Sequence, residues 1–183
     1  MNKNRIMMIF FIGSESFFFL GLIIAYVYYG YYGGHITDRA QYLDIKRTAI
    51  FTFFLLSSSL TIALANWQLK RENKKTLLVL LSVTILFGLI FLVGQATEYA
   101  RLVDLDVTIS KNVFGSAFFT LTGFHGMHVI LGLIVLTIMA IMIATGKFRA
   151  IMETTFESAS MYWHFVDVVW IAVFSVVYIG AVL

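Results

Sequence analysis

Five long apolar runs, separated by short clusters of charged residues, set the pattern of this chain. They cover approximately Ile6–Tyr29, Thr48–Leu69, Thr76–Tyr99, Val113–Ala144 and Ser158–Leu183. Each has at least the ~20 residues a helix needs to cross about 30 Å of hydrocarbon. Continuous helices satisfy their own backbone groups in lipid, which open strands cannot do. No proline occurs in the sequence, so none of the runs is broken by a proline kink. The pattern predicts an all-α, polytopic membrane bundle of five transmembrane helices. Residues 1–183 read as a single domain, with no repeat, low-complexity tract or flexible linker. The fourth run is long enough to tilt or to extend beyond the membrane.

Composition sharpens this. Of 183 residues, 60% are hydrophobic and 13% charged, more apolar surface than a soluble domain can cover. With no cysteine, the chain cannot form disulfides, thiolate metal sites or cysteine nucleophiles. A formal charge of +3, scattered along the chain, argues against nucleic-acid binding. No small-residue cleavage site follows the first run, so no cleavable signal peptide is expected.

Lys and Arg give the orientation. Lys3, Arg5, Lys70, Arg71, Lys74, Lys75, Lys147 and Arg149 fall on one side; Arg39, Lys46, Arg47, Arg101 and Lys111 fall on the other. Eight against five predicts a cytoplasmic N-terminus, and an odd number of spans then puts the C-terminus outside. All loops are short, leaving no extramembrane domain to hold a substrate or soluble cofactor.

The candidate chemistry lies in polar side chains at membrane depth. His125 and His128 stand at i and i+3 in the fourth run, on one helix face. His164 and Asp167 repeat that spacing in the fifth. Glu15 lies about nine residues into the first helix, roughly 13 Å deep at about 1.5 Å per residue. These depths permit a common polar layer near the midplane, whereas Glu98 and Glu157 sit closer to opposite interfaces. Intramembrane ionisable groups need a partner or a job. His–Asp or His–Glu pairs between helices fix register without chemistry, and Trp163, His164, Trp170 and Ile171 share a face with Asp167 that would bury it. Glu15 has no companion charge on its own face, so it either stays neutral or meets a cation, a lipid headgroup or a proton path from elsewhere. A bis-histidine haem would need one histidine on each of two facing helices. His164 with His125 or His128 has that form, but Asp167 is an equally good imidazole partner. A copper or non-haem iron site would need three or more converging ligands. Gly123, Gly126 and Gly132, with Ser116 and Ala117, thin one side of the fourth helix for close packing. Tyr26, Tyr28, Tyr29, Tyr31 and Tyr32 read as an interfacial aromatic belt.

Several stretches resemble subunit III of haem–copper terminal oxidases, in the short five-helix bacterial form. They are Ser14-Glu15-Ser16-Phe17-Phe18-Phe19, Gln95-Ala96-Thr97-Glu98-Tyr99 and Val107-Thr108-Ile109-Ser110 leading to Phe114-Gly115-Ser116. The most specific are Thr122-Gly123-Phe124-His125-Gly126-Met127-His128-Val129 and Tyr162-Trp163-His164-Phe165-Val166-Asp167-Val168-Val169-Trp170. The resemblance implies a non-redox accessory subunit of a proton-pumping cytochrome c oxidase, in the bacterial cytoplasmic (inner) membrane. Such a chain belongs to an oxidoreductase and translocase complex without a catalytic centre of its own. It would bind no cofactor or metal itself, haem and copper being held by partner subunits, and would contact subunit I directly and join subunit II and other subunits. It would support the stability and proton uptake of subunit I and associate with phospholipid. Carried over by position, Glu15 and Arg5 are lipid- or proton-linked candidates. His125, His128, Glu157, Trp163, His164, Asp167 and Glu98 form the family's intramembrane polar network. The two extra N-terminal helices of longer relatives are missing, and segment 30–47 matches poorly. A quinol-oxidase subunit III or a nitric-oxide-reductase companion fits the same motifs. A proton or ion transporter using Glu15, His164 and Asp167 as a relay is the alternative of a different class, opposed by the missing inverted repeat.

Overall fold

The computed structural model describes residues 3–32, 42–111, 113–146 and 151–180. Among these the regular structure is entirely helical. Helix α1 spans Lys3–Tyr32, α2 Ile45–Lys70, α3 Lys74–Asp104, α4 Val113–Ala144 and α5 Ile151–Phe174, the last continuing into a π-helical turn, Ser175–Ile179. All five are long and apolar enough to cross a membrane. Arg39, Lys147, Arg149 and Ala181–Leu183 lie outside the described residues, as do the side chains of Lys3, Tyr31 and Tyr32.

Helices α2 and α3 begin before their apolar stretches because polar residues cap them. Asp44 accepts from the Arg47 backbone N–H at 3.0 Å and starts α2 at Ile45, not Thr48. Asn73 does the same for α3 through Thr76 N at 3.3 Å. Both satisfy a donor that the first helical turn leaves unpaired. Between α2 and α3 the chain reverses within Arg71–Asn73, with Glu72 in the left-handed region at φ 56°. This tight reversal makes α2 and α3 an antiparallel pair, the most extensively packed in the bundle.

Helices α4 and α5 form the centre of the bundle: α4 packs on α1, α3 and α5, and α5 packs on α1, α2 and α4. The two buried tryptophans of α5 do much of the fastening. The Trp163 indole lies between two glycines: a Cβ on Gly88 of α3 would sit 2.9 Å from Trp163 Cη2, and one on Gly132 of α4 2.9 Å from Cε3. Trp163 Nε1 donates to Ser58 Oγ of α2 at 2.9 Å, and Trp170 Nε1 donates to Thr52 Oγ1 at 2.9 Å. Two indoles thus tie α5 to α2 by their single polar atoms while burying their rings. Ser58→Ala leaves the Trp163 N–H without an acceptor in the dry core, so it is expected to cost about 1–3 kcal/mol. Thermal unfolding in detergent would show this, and Trp163→Phe combined with Ser58→Ala should recover part of the loss.

The outward faces are apolar. Met7, Phe10, Phe17, Ile24 and Tyr28 of α1 are all more than half exposed, as are Phe53, Leu60, Val79 and Ile141 elsewhere. In water such a surface would aggregate; in lipid it costs nothing. Tyr28 and Tyr29 are exposed as an interfacial belt requires, but Tyr26 is not one of them. It is buried, its ring 6.4 Å from Phe114, because its position on α1 faces α4 and not the membrane.

Candidate functional site: the intramembrane polar contacts

Glu15 and His128 meet across the α1–α4 interface, with Glu15 Oε2 3.2 Å from His128 Nε2. The other ring nitrogen, Nδ1, lies 2.7 Å from the Phe124 carbonyl oxygen. A carbonyl can only accept, so Nδ1 carries a proton. Nε2 then either accepts from a protonated Glu15 or, itself protonated, donates to the carboxylate. Both descriptions place one proton between the two side chains, and the pair is electrically neutral overall. The backbone carbonyl of His128 also accepts from Tyr162 Oη of α5 at 3.1 Å. Helices α1, α4 and α5 are therefore held in one register around His128. The partner that Glu15 lacked on its own face comes from α4, and Tyr162 supplies the third helix.

His125, one turn away, is used differently. It is fully buried, stacked on Trp170 at 4.8 Å between centroids and edge-on to Phe91 at 5.9 Å and Phe19 at 6.4 Å. Neither ring nitrogen has a hydrogen-bond partner in the protein. The imidazole serves as a flat aromatic body in an aromatic cage. The two histidines that share a face in the sequence are thus divided between a polar contact and an apolar one.

His164 and Asp167 do not pair with each other or with another histidine. His164 Nδ1 is 2.6 Å from Ser59 Oγ of α2. Asp167 is 2% exposed, and neither carboxyl oxygen has a hydrogen-bond partner in the protein. The expectation of an Asp167–imidazole pair is corrected by this geometry: the His164 imidazole bonds Ser59 of α2, and no imidazole nitrogen reaches the Asp167 carboxyl.

The remaining acids anchor opposite ends of the bundle. Glu98 is buried and accepts from the Asp44 backbone N–H at 3.3 Å, while Arg101 approaches Asp44 at 3.7 Å and donates to the Tyr42 carbonyl. Glu157 meets Lys70 at 3.5 Å, with both side chains well exposed. A cleft of about 330 Å³ opens beside this ion pair, lined in part by Arg5, Asn66, Ser160 and His164. Gln95 and Tyr99 of α3 add a contact the sequence did not reveal, bonding the Thr122 carbonyl at 2.9 Å and hydroxyl at 2.9 Å.

Among the described residues no three His, Asp or Glu side chains converge as metal ligands would. What the polar groups do instead is join helices in pairs, in an order that follows the motifs along the whole chain. A family model described as cytochrome c oxidase subunit III matches residues 2–182. The chain belongs to that family. It is 38% identical over 173 residues to cytochrome c oxidase subunit 3 of Corynebacterium diphtheriae, covering 93% of this chain and 84% of that protein. To the human cytochrome c oxidase subunit 3 it is 38% identical over 178 residues, covering 93% of this chain and 67% of the human one. A probable cytochrome c oxidase subunit 3 of Mycobacterium leprae is 35% identical over 167 residues, or 91% of this chain and 83% of its own length. Membership in the subunit III family makes this a membrane component of an oxidase, associated with the other oxidase subunits.

Proposed function

We propose that the chain is the non-redox accessory subunit III of a proton-pumping cytochrome c oxidase in a bacterial cytoplasmic membrane. In this reading it is one five-helix domain with its N-terminus in the cytoplasm. It contacts subunit I directly, assembles with subunit II, and leaves haem and copper chemistry and the translocation step to its partners. The observation that carries the reading is the family match, which runs through all five helices from residue 2 to 182. The local contacts agree with it. A transporter relay would need Glu15, His164 and Asp167 in one line, whereas Glu15 engages His128, His164 engages Ser59, and Asp167 engages neither histidine. Affinity purification through a tag on this chain should bring down haem- and copper-bearing subunits and oxidase activity. Recovery of the chain without a haem-bearing partner would overturn the proposal.

Within that role Glu15 and Arg5 are the lipid- or proton-linked positions, and the other polar residues hold the bundle together. Glu15 is the most telling because its side chain is 24% exposed while that of His128 is 8% exposed, so the shared proton sits at the edge of the bundle. Glu15→Gln keeps a donor for His128 Nε2 but removes the shared proton. We expect normal assembly and normal initial turnover, followed by faster inactivation during continuous turnover. Glu15→Leu also removes the hydrogen bond, which in membranes is worth about 0.6 kcal/mol on average. That small energy predicts retention of the subunit with partial loosening of α1, readable as increased protease sensitivity of α1. Complete loss of the subunit with Glu15→Gln would show that the pair is needed for assembly itself.

A further inference from the structure

The seam between α2 and α5 carries polar residues from the end of the bundle to its interior. At the mouth stand Lys70 and Glu157, 3.5 Å apart, with Arg5 of α1 beside them. One turn further in, Asn66 and Ser160 line the cleft, and Asn66 Oδ1 is buried without a protein partner. The cleft ends on His164, whose Nδ1 is bonded to Ser59. Asp167 lies one turn beyond His164 on α5, buried, and neither carboxyl oxygen has a hydrogen-bond partner in the protein. Past this point the seam is closed by Leu55 and by the Trp163 and Trp170 rings, all essentially inaccessible. Ten residues separate Glu157 from Asp167 on α5, or about 15 Å along a helix.

We propose that this cleft is an aqueous inlet that admits protons from the Lys70–Glu157 side of the membrane, through His164 and Ser59, to Asp167, where it ends. Its volume of about 330 Å³ is room for several waters at about 30 Å³ each. Its polar lining offers them the partners an apolar cavity would not. An ionised carboxylate without a partner is costly in a wholly dry bundle, so the group holds its proton, and a proton that is to be exchanged needs a route. His164 and Ser59 supply that route: a hydroxyl and an imidazole both donate and accept, the two are bonded to each other, and His164 lines the cleft one helical turn from Asp167. Asp167 is not neutralised by a fixed cation. The charged groups and histidines described on the helices packed against α5 are Arg5 and Glu15 on α1, Lys46, Arg47 and Lys70 on α2, and His125 and His128 on α4; Lys46 and Arg47 stand exposed in the first turn of α2, at the far end from Lys70, and Arg5 lies at the cleft mouth. Of these, Glu15 and His128 satisfy each other, Lys70 is taken by Glu157, and His125 is enclosed by aromatic rings.

The test uses the intact complex. Infrared difference spectra of wild type and Asp167→Asn identify the carbonyl stretch of the Asp167 carboxyl, and transfer to D2O then reports its exchange. We expect a band missing from Asp167→Asn that shifts promptly in D2O, and loss of the prompt shift in Ala63→Phe. Ala63 lies on the cleft wall at an exposed position, so a larger side chain fills the inlet without entering the core. Because the chain has no cysteine, Asn66→Cys provides a second readout: a hydrophilic, membrane-impermeant thiol reagent should label it, and Ala63→Phe should block the labelling. Absence of the carboxyl band, exchange that is equally prompt with the cleft filled, or an unlabelled Asn66→Cys would each overturn the inlet.

Discussion

Gly132→Leu should unseat Trp163 and detach the subunit from its complex. A Cβ at position 132 would lie 2.9 Å from Trp163 Cε3 and Cζ3 and 3.4 Å from Tyr162 Cε1, before any further atom of leucine is placed. The indole cannot retreat. On its far side Gly88 leaves no more room than the ring needs, and a Cβ there would meet Leu133 Cδ2 at 2.8 Å. Its nitrogen is fastened to Ser58 at 2.9 Å. Relief would require α4 and α5 to separate, which also strains Tyr162 Oη on the His128 carbonyl. Overpacking of a tight core costs about 1–3 kcal/mol, and here a rigid bicyclic ring held from three helices takes the strain. We expect the upper end of that range or beyond. Gly132→Ala should be measurably milder, and Gly88→Ala with Gly132→Ala should be non-additive because both press on the same indole. Gly13→Ala and Gly21→Ala are the controls, since nothing lies within 4 Å of a Cβ at either. Thermal inactivation of the solubilised complex, with subunit retention read on a gel, separates these outcomes. Equal behaviour of Gly132→Leu and Gly13→Ala would remove the packing argument.

How far the sequence could reach is clear from these same residues. The five spans were legible because a run of apolar side chains is the physical requirement for crossing hydrocarbon, and the requirement is written directly in the chain. The ends were less so. Asp44 and Asn73 cap helices beyond the apolar stretches, and hydropathy does not register a capping oxygen. The need for small residues on the fourth helix was also legible, but not which of them mattered. Gly123 would have only Tyr99 Oη at 3.9 Å from its Cβ, and Gly126 only the Gln95 amide at 3.5 Å, both ordinary contacts. Gly132 alone of the three faces a tryptophan, a fact fixed by the rotation of α4 against α5.

The partners of the polar residues were not legible for a related reason. Periodicity tells which residues of one helix share a face, and it carries no information on how two faces are rotated or shifted against each other. Glu15 and His128 are 113 positions apart, and Ser59 and His164 are 105 apart. Serines and threonines gave no signal as partners because most of them in these helices also bond their own backbone, as Ser58 does to Leu55 O at 2.5 Å. Their second role, receiving the indoles of Trp163 and Trp170, appears only once the bundle is assembled. The i, i+3 spacing was sound evidence that His125 and His128 lie close together. It could not say that one would face an acid and the other a cage of rings.

That division gives the second large effect: His125→Ala should cost the bundle much of its stability, while His125→Phe should leave assembly and turnover near wild type. His125 is enclosed at 0% exposure by Trp170, Phe91 and Phe19, and neither nitrogen has a protein partner. Its contribution is therefore shape. Truncating a buried aromatic-sized side chain to alanine costs about 3–5 kcal/mol through lost contacts and the cavity left behind. Phenylalanine refills the volume with a flat ring that can stack on the Trp170 indole, and removing two unpaired polar atoms from a dry site is neutral or favourable. The corresponding pair at the neighbouring histidine should behave in the opposite way. His128→Phe strands the Glu15 carboxyl and gives up the proton the two groups share, so volume alone cannot rescue it. Chemical ligation or proton transfer by His125 predicts the reverse pattern, with His125→Phe as damaging as His125→Ala. Turnover and subunit retention measured side by side for the three variants decide between shape and chemistry, because only a structural imidazole tolerates the loss of both its nitrogens.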